Sequence, residues 1–372
     1  MLRVPEHSVA WRLPNQSTLA VKRQNATDIS DSAILIEMRA AAVCGTDLAI
    51  LSGARPGGAA VLGHEGVGSV LHAPTGCGIS KGSRVIINPV YRNHPQLVVG
   101  HSHDGIFRKY FWLDAAEAVQ ENLLLPCPAE CAIADTELVL TEPVGSVLYS
   151  LELLREKCGD SPLLVRGSGT VAILAVKLWS RLTGAPAILA SGSAEHADWL
   201  RQSVSWPENV RICSNSQLRG VIAQSNHQCR VGILCCSREN APEGLHCLLD
   251  FVADGAMIDL MAGFPEQYQE ARLGGIPLDA VRWNNICGMS SAPPTSAIDG
   301  SSGRTVSLIG HRGTGESHLL QAVDLLSRKV VSLADVPHRV VELQQLPDVV
   351  QTMLSIQQRH RNHWVKAIVA CA

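Results

Sequence analysis

The sequence predicts an α/β chain in two parts, a mostly β domain followed by a doubly wound domain built on a parallel sheet. Three observations carry this. Up to about residue 150, short apolar runs such as Ala33–Met38 and Arg84–Pro89 are broken by Gly, Pro, Asn and Ser, the pattern of short strands. From about Glu142, strand-like runs alternate with helical stretches, which is the mark of βαβ units. Between a buried run at Leu163–Val165 and an amphipathic stretch at Val171–Leu182 lies Gly167-Ser168-Gly169, a turn joining strand to helix.

The composition is that of a globular chain with more than one core: 372 residues, 46% apolar and 17% charged. With 31 Lys plus Arg against 34 Asp plus Glu, the net charge of −3 gives no basic field for nucleic acid or an anionic membrane. A small-molecule partner is expected. The N-terminal Met-Leu-Arg-Val-Pro-Glu-His lacks the apolar centre of a secretion signal, and no apolar run approaches a membrane span, so a cytoplasmic location is expected. The twelve cysteines then read as reduced thiols, with Cys235 and Cys236 as core filler on a strand. Glycosylation-type matches at Asn15 and Asn25 carry little weight in that compartment.

In chain order, the first chemistry-bearing elements are Cys44-Gly-Thr-Asp47 and Gly63-His64-Glu65-Gly-Val-Gly68. A thiolate and an imidazole suit zinc better than magnesium or calcium. Glu65, beside His64, and Glu142, in Thr-Glu-Pro-Val-Gly, compete for a third ligand position or act through water. Three protein ligands would leave a position open for substrate, as in a catalytic site. Asp47 is placed to accept the second ring N–H of His64, and Thr46 to pass a proton. Any one of these residues alone is more often a packed core residue than a ligand.

Taken together and in this order, the two elements and the glycine-rich turn resemble the zinc-dependent medium-chain dehydrogenase/reductase family of alcohol, sorbitol and threonine dehydrogenases. The resemblance covers almost the whole chain. It implies a GroES-like catalytic domain over 1–150, a Rossmann dinucleotide-binding domain over 151–312, and a C-terminal part, 313–372, that returns to the catalytic domain. It also implies one catalytic zinc per chain, a nicotinamide cofactor, and hydride transfer between that cofactor and a secondary alcohol or ketone. A homodimer or homotetramer is expected. The relatives' lobe of four cysteines with a structural zinc is missing between Val85 and Gly105, where His94, His101 and His103 stand instead. These histidines suit a solvated or substrate-facing loop better than a replacement metal site. The absent lobe and the Glu142 element tilt the substrate toward a polyol, sugar, cyclitol or amino alcohol.

The resemblance extends to further positions. Thr46 matches the first proton-relay hydroxyl, but the next relay position, a His in many relatives, is Ala49. Asp104–Leu113 matches a strand closing the first domain, with Arg108 and Lys109 where relatives carry small and acidic residues. Gly167, Gly169, Thr170 and Val171 are the expected pyrophosphate cradle, Gly263 follows the strand whose loop lies against the nicotinamide, and Gly310 ends the last strand of the sheet. Lys366 matches a basic position that contacts cofactor phosphates in some relatives, an exposed terminal charge being the equal alternative. The strand Ala187–Ala190 ends at Ser191-Gly192-Ser193, without the carboxylate that takes the ribose hydroxyls of NAD, which favours NADP or mixed use. Ser191 and Ser193 are the candidate donors to a 2′-phosphate there, with His196 and Arg201 as nearby charge.

Residues 291–304 read as a polar loop without periodicity, a lid or a subunit contact. A strand and its exit turn over Thr305–Gly313, helix Glu316–Arg328, strand His338–Val341, helix Leu346–Gln358 and the run Trp364–Val369 complete the reading. Two competing functions are a zinc-free quinone or enone reductase of the same superfamily, disfavoured by Cys44 and His64, and a nucleotide-binding relative without turnover.

Overall fold

The computed structural model describes residues 1–14, 16–225, 228–289, 292–355 and 364–371. Asn15, Ser291 and the 356–358 end of the expected C-terminal helix lie outside the described residues. The chain divides into two units: Met1–Gly145 with Leu319–Leu333 and His338–Ala372, and Ser146–His318 with Ala334–Pro337. The division between them falls inside the helix Thr141–Cys158.

The first unit is organised on the strand Ala33–Ala42, whose run of Ala, Ile, Leu and Met is buried along most of its length. It pairs antiparallel with Glu65–His72, with Tyr110–Asp114 and with Lys366–Ala370. The sheet runs in the order His338–Glu342, Lys366–Ala370, Ala33–Ala42, Glu65–His72, Arg84–Ile87, Leu124–Pro126. Ile34, Ile36, Met38, Val61, Leu62 and Phe107 form the centre of its core, all fully buried. The expected strand over Asp104–Leu113 begins only at Tyr110. Its first half instead wraps onto the loop before His64, with Ile106 N–H donating to Gly63 at 3.1 Å and Phe107 N–H to Leu62 at 3.0 Å.

The second unit is a seven-stranded sheet in the order Val210–Ser214, Ala187–Ser191, Leu163–Arg166, Cys229–Leu234, Val252–Leu260, Thr305–Ile309, Thr295–Ile298. All neighbours are parallel except the last pair. Strands buried on both faces need no polar alternation, which is why Leu163–Val165 and Ala187–Ala190 read as unbroken apolar runs. Helix Thr170–Thr183 starts at Gly169 and stops at Gly184, whose φ of 73° is left-handed and suits glycine. Lys177 on this helix is fully buried, and its ammonium donates to Asp335 at 2.8 Å beside Arg181.

Two expectations are corrected here. Residues 291–304 contain a strand, Thr295–Ile298, paired antiparallel with Thr305–Ile309. It is an edge strand of Thr, Ser, Ala and Ile whose one large apolar side chain, Ile298, is exposed, so it shows no apolar alternation. Its turn is locked by Asp299, which accepts from Arg272 at 3.0 and 2.8 Å through both oxygens. Cys235 and Cys236 follow the strand Cys229–Leu234 rather than lying within it.

Candidate active site and cofactor cradle

Cys44 and His64 meet because their strands are paired. Ala42 lies opposite Glu65 in the antiparallel ladder, so the chain leaves one strand toward Cys44 and enters the other from His64 at the same end. Cys44 caps the seven-residue helix Gly45–Leu51, and Asp47 at the third helical position accepts the Cys44 N–H at 2.8 Å. The other Asp47 oxygen accepts the Gly63 N–H at 3.2 Å and lies 3.5 Å from His64 Nδ1. One carboxylate thus ties both loops together, which explains the Cys-Gly-Thr-Asp spacing. Gly63 has φ 92°, and a Cβ there would lie 2.6 Å from the Phe107 ring, so only glycine fits before His64.

Ligand atoms of Cys44, His64 and Glu65 lie within 4.8 Å of one another, as do those of Asp47, His64 and His101. Among the described residues neither group includes Glu142. Sulfur, imidazole nitrogen and carboxylate oxygen converging at this spacing are a donor set that fits zinc. Thr46 Oγ1 is 3.4 Å from His64 Nε2. Burial opposes a charged His64, but the Asp47 carboxylate and Cys44 outweigh it and hold its pKa well above the ordinary value. Burial likewise opposes ionisation of Asp47, yet His64 and His101 win and its pKa is lowered.

The three histidines of the shortened segment go separate ways. His94 Nδ1 meets Glu121 at 2.8 Å, His103 stacks on Tyr91 at 5.2 Å, and His101 stands edge-on to His64 at 4.6 Å. His101 is buried beside the cluster, so the expected solvated loop does not hold for it, and its ligand atom joins those of Asp47 and His64.

Lys366 departs from its expected place at the cofactor phosphates. It is 2% exposed within the first unit, and its ammonium pairs with the Glu65 carboxylate. The pairing follows from the sheet, in which Lys366–Ala370 lies beside Ala33–Ala42 and Val43 N–H donates to Ala367 at 2.9 Å. Burial would lower the pKa of Lys366, but Glu65, then Cys44, and more weakly Glu142, raise it. A buried ammonium held by a carboxylate is not available to a phosphate.

In the second unit, the strand Leu163–Arg166, the turn 167–169 and the helix Thr170–Thr183 follow in the expected order. A Cβ at Gly167 would lie 2.7 Å from the Cys235 carbonyl, whereas one at Gly169 would meet nothing within 4 Å. Gly169 is the helix N-cap and supplies no side-chain acceptor, so the N–H groups of the first turn, from Thr170 and Val171 onward, face an open space that suits a pyrophosphate. Gly263 and Gly310 are close-packing positions, their Cβ atoms falling 2.7 Å from Arg238 and 2.6 Å from Arg282. Ser193 caps the helix Ala194–Ser203 by accepting from His196 N–H at 3.2 Å. Ser191 ends its strand 1% exposed, with a hydroxyl that has no partner among the described residues.

Two features here escaped the sequence. Arg166, the last residue of its strand, is buried directly before the glycine turn. Half-buried Ser146 and buried His311 and Asp259 form a series, with Ser146 Oγ 3.2 Å from His311 Nε2 and His311 Nδ1 3.3 Å from Asp259. Both arise from residues far apart in sequence, which no local motif announces.

Residues 30–124 match the alcohol dehydrogenase GroES-like domain. The fold as a whole is similar to that of a Sinorhizobium meliloti protein assigned as a zinc-binding dehydrogenase and bound to NADP, with a TM-score of 0.71 at 18% identity. That match covers 99% of this chain and 100% of the other. The first unit thus carries an alcohol dehydrogenase GroES-like domain, and the chain as a whole has the fold of that dehydrogenase. The L-idonate 5-dehydrogenase of Escherichia coli is similar at a TM-score of 0.70 and 17% identity, covering 99% of each chain. A zinc-type alcohol dehydrogenase-like protein of Haemophilus influenzae is 25% identical over 174 residues, 44% of this chain. That match spans about half, 50%, of the relative's own length. No helix among the described residues is long and apolar enough to cross a membrane.

Proposed function

We propose that this chain is a zinc-dependent oxidoreductase that moves hydride between a nicotinamide cofactor and a secondary alcohol or ketone of the polyol, sugar, cyclitol or amino-alcohol class. The observation that carries the reading is the convergence of Cys44, His64 and Glu65 within 4.8 Å, in a chain that also holds an open glycine-turn cradle. Cys44 and His64 hold the metal, and Asp47 fixes both loops that present them. Glu65, paired with Lys366 through one oxygen, competes with Glu142 for the third position or acts through water. When bound, zinc would polarise the substrate oxygen as a Lewis acid, and the nicotinamide would accept or return the hydride. Thr46, next to His64, takes the substrate hydroxyl proton. Ala49 offers no second relay group, so the proton leaves Thr46 through water or the cofactor ribose.

The cofactor preference proposed is NADP or mixed use, because Ser191-Gly192-Ser193 places no carboxylate at the strand end. The relatives' acidic or polyhydroxy substrates support the substrate class only by likeness, L-idonate being the one named by the Escherichia coli protein. The test is cofactor absorbance during incubation of the zinc-loaded protein with a panel of polyols, sugar acids and amino alcohols. Turnover of at least one, lost in Cys44→Ser, supports the reading. Turnover of quinones or enones without metal would replace it with the reductase alternative.

A further inference from the structure

Arg166 is a buried cation with poor compensation. It is 4% exposed, yet its nearest carboxylate, Glu243, stands 3.7 Å away and is itself 70% exposed. Its Nη1 reaches the Ala190 carbonyl only at 3.5 Å, and its Nε has no acceptor among the described residues. A guanidinium carries five donors, and beyond these contacts this one has only the Cys247 thiol within reach among the described residues, with its Nε–H left over. Such a group is costly to bury unless an anion completes it.

The position of the guanidinium says which anion. Arg166 lies opposite Ala190 in the parallel ladder, one residue before the strand Ala187–Ser191 ends. A Cβ on Gly192 would lie 3.5 Å from Arg166 Nη2 and 3.9 Å from Nη1, so the guanidinium lies against the bare backbone of Gly192. The Ser191 hydroxyl, buried and unpartnered among the described residues, belongs to the opposite face of the strand from Ala190 and Arg166. His196 extends to the Ser168 carbonyl at 3.4 Å, across the glycine turn. In a doubly wound sheet, the end of the second strand is where the adenosine ribose lies when the pyrophosphate sits on the first turn. Here that end carries a cation and no carboxylate.

We propose that Arg166 binds the adenosine 2′-phosphate of NADP over Gly192, and that Glu243 tempers the preference by competing for the same guanidinium. The inference rests on the reading that the second unit binds a nicotinamide dinucleotide. It adds the residue that tells NADP from NAD, and that residue precedes the glycine turn instead of following the second strand.

The test is calorimetric titration of the full-length protein with two fragments, 2′,5′-ADP and 5′-AMP, alongside NADP and NAD. The wild type is expected to bind 2′,5′-ADP about tenfold or more tighter than 5′-AMP, as charge-assisted hydrogen bonds would give. Arg166→Met, which keeps the length of the stem, should remove that difference and leave 5′-AMP within about twofold. Glu243→Gln changes an exposed residue and should tighten 2′,5′-ADP several-fold without moving 5′-AMP. If Arg166→Met does not fold, Glu243→Gln decides alone, and unchanged affinity for 2′,5′-ADP overturns the proposal. Equal binding of the two fragments by the wild type overturns the role of Arg166 while leaving the dinucleotide reading in place. Failure of both fragments and both dinucleotides to bind overturns that reading and the inference with it.

Discussion

Asp47 accepts backbone N–H groups from two loops and faces His64 from 3.5 Å, so one side chain fixes the positions of both firm metal-ligand candidates. Asp47→Ala removes those acceptors from one buried and one part-buried N–H and should reduce both zinc content and stability, the latter by about 2 kcal/mol. A variant with normal zinc content and normal thermal midpoint would contradict this. Thr46→Val keeps the side-chain shape and deletes the hydroxyl beside His64, so turnover should fall at least about tenfold with zinc content unchanged. Unaltered turnover would move the first proton acceptor elsewhere. The Lys366–Glu65 pair is buried on both sides, each 2% exposed, so removing one partner leaves the other charge stranded. Lys366→Met should cost about 3 kcal/mol, and the double variant Lys366→Met with Glu65→Gln should recover much of it. Urea unfolding of the three proteins checks both parts. At this scale the sequence announced Cys44, Thr46, Asp47, His64 and Glu65 because they stand in two short elements. It missed Arg166 and misplaced Lys366, because a cation's partner is set by sheet pairing between residues far apart in the chain.

Among elements, the helix Thr170–Thr183 buries Lys177 entirely and satisfies it through Asp335, which also takes Arg181. Burial would raise the pKa of Asp335, but hydrogen bonds from Arg181 and Lys177 prevail and bring it down from 3.8 to about 2. A carboxyl depressed in the folded state stabilises above its unfolded pKa and loses that contribution as pH falls through the folded value. Asp335 therefore contributes roughly 2 kcal/mol near neutrality, lost between about pH 4 and pH 2. Asp335→Asn should lower the unfolding midpoint at pH 7, and its deficit relative to the wild type should shrink across that acid window. A deficit independent of pH would rule out the pairing as its source. Strands with unbroken apolar runs, such as Leu163–Arg166 and Ala187–Ser191, were legible from composition alone. Thr295–Ile298 was not, since a short edge strand of Thr, Ser and Ala with its one Ile exposed carries the composition of a loop. The late start of Tyr110–Asp114 was equally hidden. Residues 104–109 are drawn off to pack on the His64 loop, where a Cβ at Gly105 would fall 2.2 Å from the Gly63 carbonyl.

For the whole molecule, the metal candidates all belong to the first unit and the glycine-turn cradle to the second. Metal and dinucleotide binding are thus expected to be separable by mutation, although turnover needs both. The mostly β first unit and the parallel-sheet second unit were readable from the change of pattern near Glu142, because strand spacing and βαβ alternation are properties of long stretches. The central claim is a catalytic metal on Cys44 and His64. Zinc analysis of the purified protein and of Cys44→Ser, each paired with a dinucleotide titration, addresses it most directly. The account predicts one zinc per wild-type chain, little or none in Cys44→Ser, and dinucleotide affinity unchanged between the two. A wild type without zinc, or a Cys44→Ser variant that retains it fully, would contradict the account.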